Sequence, residues 1–439
     1  MGAAADFVAR FFPIFLLGAL FGKLMDDSGA VRSIADWMTE RLGERRTVLA
    51  VVLAGALVTY GGVSLFVAYF VLAPMAHGLF RRAGVPRRLM PAAIMLGAST
   101  FTMSAMPGTP AIQNAIPMPF FGTTPFAAPG LGLIASAIML GVGLWWLRRR
   151  EAAARRAGEG YGPDPDAGSP ADAAADDLVV RERATVAREF DPAEARRGVH
   201  GTSPPPVWSA ALPIATVVAV NLAMSALVLP DLDADFLAEE RWGGVSLGEV
   251  GEVGGVWSVS VALACAIGVF VLLHHRRLPD PRASADAGAN ASALPILSVA
   301  SLVGFGAVVA ALPAFAAVRD WVLDLGGGPL VSLSVATNLL AALTGSASGG
   351  LTIALEALGP TYLQLAQEQD IDPALLHRVA VIGAGTLDAL PHNGAVVTLL
   401  AVCGSTHRES YFDVVMVGIV GAVIGLVAVI APGSVLGSF

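Results

Sequence analysis

The sequence predicts an all-α, polytopic membrane protein of inverted repeats, with re-entrant hairpins and interrupted transmembrane helices. The first observation is composition: 55% of the 439 residues are hydrophobic and only 14% are charged, whereas about 25% of a soluble chain is charged. The second is a succession of apolar runs of roughly 20 residues, the length that crosses a bilayer as a helix. The third is that Pro and Gly interrupt one long run in each half of the chain.

The apolar runs give the predicted membrane segments in chain order. Residues 28–43 differ from them because apolar and charged side chains alternate there, which is typical of an amphipathic helix lying flat at the interface. The predicted segments are 7–24, 47–60, 62–80, 89–122, 126–147, 207–229, 255–275, 292–317, 328–343, 349–366, 375–402 and 411–432. The runs 89–122 and 375–402 are too long for one straight helix, so we expect each to be interrupted.

The distribution of charge predicts the orientation and the domains, because cytoplasmic loops carry an excess of Arg and Lys. Arg clusters at 41–46, 81–88, 148–150 and 276–277, whereas acidic residues dominate the loop 230–254. These assignments agree if 47–60 and 62–80 form a hairpin that enters from the cytoplasm and returns. The predicted domains are a first membrane repeat (1–149), a polar cytoplasmic linker (150–206) and a second membrane half containing the inverted repeat (207–439).

Each half contains a hairpin tip followed by an interrupted crossing. The tips are Tyr-Gly-Gly-Val-Ser at 60–64 and Thr-Gly-Ser-Ala-Ser-Gly-Gly at 344–350, and the breaks contain Pro and Gly at 106–110 and 390–394. The connection from hairpin to crossing is basic in the first half and acidic in the second, which predicts opposite orientations. Paired interrupted helices in inverted repeats indicate the binding site of a secondary transporter. An ordinary kink explains a single break but not the matching pair.

The two tips and two breaks are the predicted binding site for a small organic anion. Unwound backbone at membrane depth is tolerated where it is buried in protein or lines a cavity, and free N–H groups at a helix start favour an anion. These segments contain no Lys or Arg, which leaves the recognition of charge to backbone dipoles and hydroxyl groups. The predicted substrate-binding residues are Ser64, Thr100, Thr102, Ser104, Gly108, Thr109, Ser346, Ser348, Gly349 and Asn393.

Asp388 and His392 are the predicted proton-coupling residues. Their spacing of four would place them on one helix face, and ionisable side chains inside a membrane are usually functional. A carboxylate withdrawn from water and a histidine can both exchange a proton near neutral pH. A structural Asp–His hydrogen bond at the break is the alternative. Lys23 with Asp26 and Asp27 is predicted to be an interfacial cluster, with a proton relay as the alternative. His274 and His275 are predicted to be solvated loop residues.

Other classes of function have weaker support in the sequence. We find no nucleotide-binding loop, catalytic triad or Cys/His metal spacing, so no enzymatic activity, cofactor or metal site is predicted. Cys265 and Cys403 lie in apolar runs and are predicted to be free thiols. A channel or a polytopic membrane enzyme is the remaining alternative. The absence of a charged pore ring disfavours the channel, and the absence of a nucleophile–base pair disfavours the enzyme.

Three motifs resemble the GntP family of gluconate:proton symporters, part of the ion-transporter superfamily. They are Gly-Lys-Leu-Met-Asp-Asp-Ser-Gly at 22–29, Thr-Phe-Thr-Met-Ser-Ala-Met-Pro-Gly-Thr-Pro at 100–110 and Gly-Ser-Ala-Ser-Gly-Gly-Leu-Thr at 345–352. The closing Gly-Ser-Phe is also similar to that family's ending. Residues 388–393 resemble the hydroxybutyrate-type branch more than the gluconate branch. Since the family usually has further spans before the equivalent of 7–24, we expect either a misassigned start codon or a transporter that lacks one or two peripheral scaffold helices.

The resemblance implies a multi-pass protein of the plasma (inner) membrane that carries gluconate or a related small hydroxy monocarboxylate, such as 3-hydroxybutyrate, together with protons. A sodium-coupled di- or tricarboxylate carrier of the same superfamily is the open alternative. The expected partners are the organic anion, a co-transported proton or sodium ion, and the lipid bilayer. A homodimer is one option for the assembly, and no nucleic-acid partner is predicted.

Overall fold

Helices account for all the regular structure in the described part of the chain, and no β-strand occurs there. The computed structural model describes residues 2–43, 46–162, 177–178, 180, 197, 199, 201, 203–231, 247–313, 320–322 and 326–439. Within these residues, six helices are long and apolar enough to cross a membrane: Gly2–Asp27, Pro129–Arg156, Val207–Val228, Gly254–His274, Pro281–Val309 and His407–Leu436. The predicted fold class is confirmed.

The first repeat consists of α1 (Gly2–Asp27), α2 (Ala30–Leu42), α3 (Thr47–Tyr60), α4 (Leu65–Ala83), α5 (Met90–Ala98), α6 (Phe101–Ser104), α7 (Ile112–Ala115), α8 (Met118–Phe121) and α9 (Pro129–Arg156). The second half consists of α10 (Val207–Ala223), α11 (Leu247–His274), α12 (Pro281–Ala310), α13 (Gly328–Thr344), α14 (Ala347–Glu368), α15 (Pro373–Leu387), α16 (Gly394–Val402), α17 (His407–Val414) and α18 (Gly421–Leu436). A π-helical turn, Val415–Val420, joins α17 to α18.

Both hairpins and both interrupted crossings lie where the sequence places them. Helices α3 and α4 form the first hairpin and α13 and α14 the second. In the first crossing α5 and α6 precede the break and the short helices α7 and α8 follow it, whereas α15 and α16 flank the break of the second crossing. Helix α2 buries Val31 and Ile34 and exposes Trp37, as an amphipathic helix does. Around these elements, α1 packs along α12, and α10 packs against α11.

Several helices extend beyond their predicted segments, and the longest extensions are at the start of α12 and the end of α9. Helix α12 begins at Pro281 because the Asp280 side chain caps it, accepting from the Arg282 and Ala283 amides; such a cap stabilises a helix start by about 1 kcal/mol. Helix α9 continues to Arg156, into the segment predicted as a linker. Most of that linker, the acidic loop residues 232–246 and residues 314–319 of the predicted span 292–317 lie outside the described residues.

The connections from hairpin to crossing lie at opposite ends of α9. In the first repeat, Arg88 lies at its C-terminal end, within 4 Å of Asp413, which also pairs with Arg150. In the second, Asp372 shares a surface pocket with Pro129 at its N-terminal end. Pro129 and Arg150 are about 30 Å apart along the helix at 1.5 Å per residue. The two repeats therefore run in opposite directions, as the charge pattern predicts.

One glycine in each crossing lets that crossing pack closely against the first arm of its hairpin. A Cβ atom added to Gly97 on α5 would overlap the Val52 carbonyl on α3, and one added to Gly383 on α15 would overlap the Thr337 hydroxyl on α13. Val52 and Thr337 lie at similar distances before their hairpin tips. The same helix-on-helix contact thus occurs in both repeats and fixes each crossing beside its tip.

The two arms of the second hairpin touch through their backbones. A Cβ atom added to Gly350 on α14 would overlap the main chain of Ala341 on α13. Left-handed backbone flanks the hairpin, with φ of 105° at Gly327, 83° at Gly328 and 54° at Asp370. This hairpin is therefore a tightly packed unit bounded by turns.

Candidate functional site

Two adjoining cavities lie where the hairpin tips meet the interrupted crossings. The first cavity, of about 160 Å³, lies between α1, α12, the first tip and the chain around α7. The second, of about 30 Å³, lies between α4, the first crossing and the break of the second crossing. Leu65, Met103 and Gln113 line both cavities, so these three side chains form the partition between them.

The first hairpin tip contributes the N-terminus of α4. Left-handed backbone at Gly62 (φ 96°) turns the chain, and Ser64 precedes the helix without capping it through its side chain. Ser64 and the first helical residues, Leu65 to Val67, line the first cavity. The free amides and positive dipole end of a 19-residue helix therefore point towards this cavity.

The second hairpin tip and the second break contribute two further N-termini. Ser346 caps α14 by accepting from the Gly349 amide at 3.1 Å, and the next residues, Ala347 and Ser348, line the second and first cavity respectively. Asn393 caps α16, accepting from the Ala395 amide at 2.7 Å, and donates to the Gly345 carbonyl of the tip at 2.6 Å. Three helix N-termini thus meet around the cavities, an arrangement that attracts an anion.

Four of the ten predicted substrate-binding residues line these cavities. Ser64 and Ser348 line the first, and Ser104 and Asn393 line the second. The Ser104 hydroxyl also donates to the Thr100 carbonyl at 3.1 Å. The structure therefore brings together hydroxyl or amide groups from both tips and both crossings.

The other six predicted substrate-binding residues do not line either cavity, and their contacts are with neighbouring protein groups. Thr100 and Thr102 turn their hydroxyls to the backbone of α5, donating to the Leu96 carbonyl at 2.7 Å and the Gly97 carbonyl at 2.8 Å. These bonds hold the end of α5 at the break. The remaining four have packing or backbone contacts instead: Thr109 accepts from the Ala111 amide, Gly108 lies against Phe126, Gly349 lies against Leu302, and Ser346 caps α14.

Gln113 is a cavity residue that the sequence reasoning missed. It is 9% exposed and lines both cavities, and no protein group within the described residues hydrogen-bonds its amide. A buried amide without a protein partner costs free energy unless water or a ligand satisfies it. A lone Gln inside the apolar run 89–122 was the available signal.

Lys23, Asp26 and Asp27, predicted as an interfacial cluster, lie at the end of α1 and are largely buried by protein. Lys23 is 4% exposed and Asp27 is fully buried. The Lys23 ammonium lies 2.9 Å from Asp27 and 3.5 Å from Asp26, and both Lys23 and Asp26 line the first cavity. The cluster is buried because α12 covers this end of α1, with the Ser284 hydroxyl donating to Asp27 at 2.6 Å.

Arg378 is a buried basic residue near the first break that the sequence analysis did not single out. It lies on α15, inside the predicted run 375–402, and is fully buried. Its guanidinium donates to the Ala127 carbonyl (2.7 Å from Nη2), the Ser104 carbonyl (3.0 Å from Nη1) and Asn114 Oδ1 (3.2 Å from Nη1). No carboxylate of the described residues forms an ion pair with it. A buried positive charge therefore lies next to Ser104, a wall of the second cavity.

The amide of Asn114 joins Arg378 to the first break. Its Oδ1 accepts from Arg378 and lies 3.1 Å from Nε2 of the buried His377, while its Nδ2 donates to the carbonyls of Thr109 and Pro125. Chain segments more than 250 residues apart are thus held by one polar network. We infer that this network fixes the shape of the first break.

Asp388 and His392 occupy different environments. Helix α15 ends at Leu387, so the helical spacing that would align the two residues does not apply. Asp388 lines the second cavity, whereas His392 is exposed and its Nε2 donates to the Ala342 carbonyl at 3.0 Å. His274 also differs from its prediction as a solvated residue: it is buried and donates to the Ser209 carbonyl at 3.0 Å.

Comparison with known proteins identifies transporters along the whole chain. The family model CitMHS, described as "Citrate transporter", matches residues 5–239. The uncharacterized transporter YxjC of Bacillus subtilis (strain 168) is 38% identical over 437 residues, which cover 98% of this chain and 88% of the relative. The high-affinity gluconate transporter of Escherichia coli (strain K12) is 34% identical over 106 residues, 23% of each chain. The resemblance to transporters is therefore confirmed, but the broad match is to the citrate family rather than to the gluconate symporters.

The fold also has a solved counterpart. The YdaH transporter of Alcanivorax borkumensis, whose crystal structure was described as having an unusual topology, superposes with a TM-score of 0.55 at 17% identity. The superposition covers 97% of this chain and 85% of that chain. At this identity the likeness supports the architecture of paired hairpins and crossings alone.

Proposed function

The chain belongs to the CitMHS citrate transporter family and is a secondary transporter of the cell membrane, and we propose that it imports a small hydroxy monocarboxylate, such as gluconate, together with protons. The observation that carries this proposal is the meeting of both tips and both crossings at two cavities that share Gln113. In such carriers the repeats move around a central site, so that it opens to each side in turn.

The chemistry of the cavity walls favours an anion of low charge that carries hydroxyl groups. Three helix N-termini and the buried Arg378 supply positive potential, whereas Lys23 is already paired with two carboxylates. The side chains facing the cavities include neutral hydrogen-bonding groups on Ser64, Gln113 and Ser348. Such groups match sugar-acid hydroxyls well and leave a multiply charged anion poorly neutralised.

Four of the ten residues predicted to bind substrate keep that role in this proposal: Ser64, Ser104, Ser348 and Asn393 contact the substrate, and Gln113 is added to them. The other six, Thr100, Thr102, Gly108, Thr109, Ser346 and Gly349, are proposed to maintain the two breaks and the second tip instead. Asp388 is the proposed proton-coupling carboxylate because it faces the second cavity, with His392 as its partner at the exposed end of the same break.

Sodium-coupled citrate transport is the second candidate. The description of the family model that matches residues 5–239 favours its substrate, citrate, and leaves its coupling ion open. The two candidates differ both in substrate charge and in coupling ion, so one experiment can separate them.

The test is uptake into proteoliposomes containing the purified protein, with radiolabelled gluconate, 3-hydroxybutyrate and citrate as probes. We expect accumulation of a monocarboxylate under an imposed inward proton gradient, abolished by a protonophore and unchanged by a sodium gradient. Citrate accumulation that follows the sodium gradient would establish the second candidate. Uptake of none of these acids under either gradient would refute both candidates.

A further inference from the structure

Helix α9 presents one continuous exposed face along its length. The exposed residues recur at helical spacing, and in chain order they are Leu133, Ala137, Gly141, Trp145, Arg148 and Arg149. At 1.5 Å per residue, this face is about 24 Å long, close to the thickness of the hydrocarbon core of a bilayer, about 30 Å. It is apolar as far as Trp145 and cationic beyond it. In a membrane helix such a face meets lipid, so its cationic end lies at the depth of the phospholipid headgroups.

Two tryptophan–arginine pairs lie at this end of α9, and they have different surroundings. Arg149 lies over the Trp145 ring at 5.9 Å from its centroid, and Arg150 lies over the Trp146 ring at 6.0 Å. The second pair faces inwards, because the buried carboxylate of Asp413 accepts from Trp146 Nε1 at 2.9 Å and from Arg150 Nε at 2.8 Å. The first pair faces outwards, since Trp145 is 57% exposed and Arg149 is exposed as well. The inner pair therefore has its anion within the protein.

The described carboxylates around this end of α9 are bonded to other arginines. Their ion pairs are Glu151 with Arg155, Glu159 with Arg88, and Asp413 with both Arg88 and Arg150. Among the residues that the structure describes, none forms a hydrogen bond or an ion pair with the guanidinium of Arg148 or Arg149. The outward-facing arginines thus carry two positive charges towards the headgroup layer, and their counter-ion must come from outside the described chain.

We propose that Arg148 and Arg149 bind the headgroup of an anionic phospholipid such as phosphatidylglycerol. A guanidinium suits the phosphodiester because its planar fork of N–H groups matches two phosphate oxygens. Trp145 packs beneath Arg149 and holds this guanidinium facing the headgroup. The exposed apolar residues that precede Trp145 contact an acyl chain. The charge pattern predicts this end of α9 to be cytoplasmic, and the negative surface potential of that leaflet adds to the attraction.

A phospholipid fits this surface better than a soluble anion does. The two arginines lie on an exposed helix face, where the attraction of a free phosphate is screened by salt. An anionic lipid gains apolar contact with the same face through its acyl chains, and the charge attraction adds to that contact. The continuity of the apolar face with the two arginines therefore favours a lipid as the occupant.

Native mass spectrometry of the purified, delipidated protein tests this site. The wild-type protein should bind phosphatidylglycerol about thirty-fold more tightly than phosphatidylcholine with the same acyl chains, because two arginines contribute to the attraction. The double variant Arg148→Gln/Arg149→Gln should lose this preference. The matched control is Arg276→Gln/Arg277→Gln, which removes the same charge from exposed residues that follow α11. This control should keep the wild-type preference.

Thermal denaturation in detergent gives a second readout. Added phosphatidylglycerol should raise the melting temperature of the wild-type protein and of the control, but not that of Arg148→Gln/Arg149→Gln. Inorganic phosphate at the same concentration should leave all three unchanged, and an equal rise with phosphate would overturn the assignment to a lipid.

Two results of the mass spectrometry would also overturn the proposal. The first is equal binding of the two lipids by the wild-type protein. The second is an equal loss of preference in both double variants, since it would indicate a diffuse attraction of the whole basic surface. None of these measurements uses transport, so their outcome is independent of the proposed function.

Discussion

The guanidinium of Arg378 donates from Nη1 to the main-chain carbonyl of Ser104 at 3.0 Å. A buried cation of the second repeat thereby holds the first repeat at the point where its crossing is interrupted. The carbonyl is available because helix α6 ends at Ser104, and the last carbonyls of a helix have no partner within it. Helix α15 of the second repeat is therefore hydrogen-bonded directly to the chain at the first break.

Arg378→Lys should destabilise the protein and abolish transport. An ammonium cannot reproduce the planar fan of bonds to Ala127, Ser104 and Asn114, and each lost hydrogen bond of a charged group is worth about 1.5–3 kcal/mol. Thermal denaturation in detergent measures the stability and counterflow the activity. Arg282→Lys, at an exposed site on α12, is the control. A wild-type melting temperature for Arg378→Lys would show that the network does not support the break.

Gln113→Leu should weaken substrate binding while leaving the fold intact. The change removes an amide that lines both cavities but has no protein partner in the described structure, so no protein hydrogen bond is lost. Loss of one neutral hydrogen bond to the ligand should raise the half-saturation concentration about ten-fold. Gln369→Leu, at an exposed position after α14, is the matched control. Equal half-saturation in both variants would exclude Gln113 from the binding site.

Asp388→Asn should abolish proton-driven accumulation but spare exchange of substrate for substrate. Exchange needs the carrier to reorient with substrate bound, whereas accumulation also needs the coupled proton. Uptake under an imposed pH gradient and counterflow without one measure the two activities in the same vesicles. Accumulation at the wild-type level would reduce Asp388 to a structural residue.

Asn393→Asp should separate the two bonds that Asn393 makes. The carboxylate can still accept from the Ala395 and Val396 amides and cap α16, but it cannot donate to the Gly345 carbonyl at the second tip. We expect wild-type thermal stability with impaired counterflow, because the tip loses its link to the break. Asn393→Ala removes the cap as well and should cost about a further 1 kcal/mol. Normal counterflow in Asn393→Asp would show that the link to the tip is dispensable.

Acidification should weaken the contact between the first connection and the end of α9. Hydrogen bonds from Arg88 hold the pKa of Glu159 below its ordinary value, although burial opposes the shift. Because the folded pKa is depressed, the pair stabilises the protein above the ordinary pKa of Glu, about 4.3, and this stabilisation is lost as the pH falls through the folded pKa. Glu159→Gln should show a smaller loss of thermal stability on acidification than the wild type. Parallel losses would exclude this pair as a contributor.

The order of the spans, the hairpins and the breaks follows from the sequence because lipid imposes a simple rule. Backbone must be helical wherever it meets lipid, so an apolar run interrupted by Pro and Gly indicates either a tip or a break. The opposite charges of the connections at 81–88 and 368–372 likewise indicate that the two repeats have opposite orientations in the membrane. These features depend on local composition, and the structure agrees with them.

Contacts between distant segments could not be predicted in this way. Thr102 supplies a hydroxyl as expected, but that hydroxyl turns to the Gly97 carbonyl instead of the cavity. Lys23 lies near the end of an apolar run and resembles an interfacial residue, yet Ser284, 257 residues from Asp27 along the chain, helps to bury its cluster. Arg378 lies inside the predicted membrane run 375–402. A charged side chain within a membrane run is usually functional, so this residue could have been predicted from the sequence.

The backbone contact between Gly350 and Ala341 has a consequence for how the carrier can move. Arms that touch through their main chains cannot slide or separate without losing that contact. The second hairpin therefore moves as one rigid unit. Its pivots are then the left-handed residues at its two ends, Gly327–Gly328 and Asp370. A displacement of the tip that admits substrate from one side would therefore be converted into rotation at those pivots, with the arms themselves undeformed.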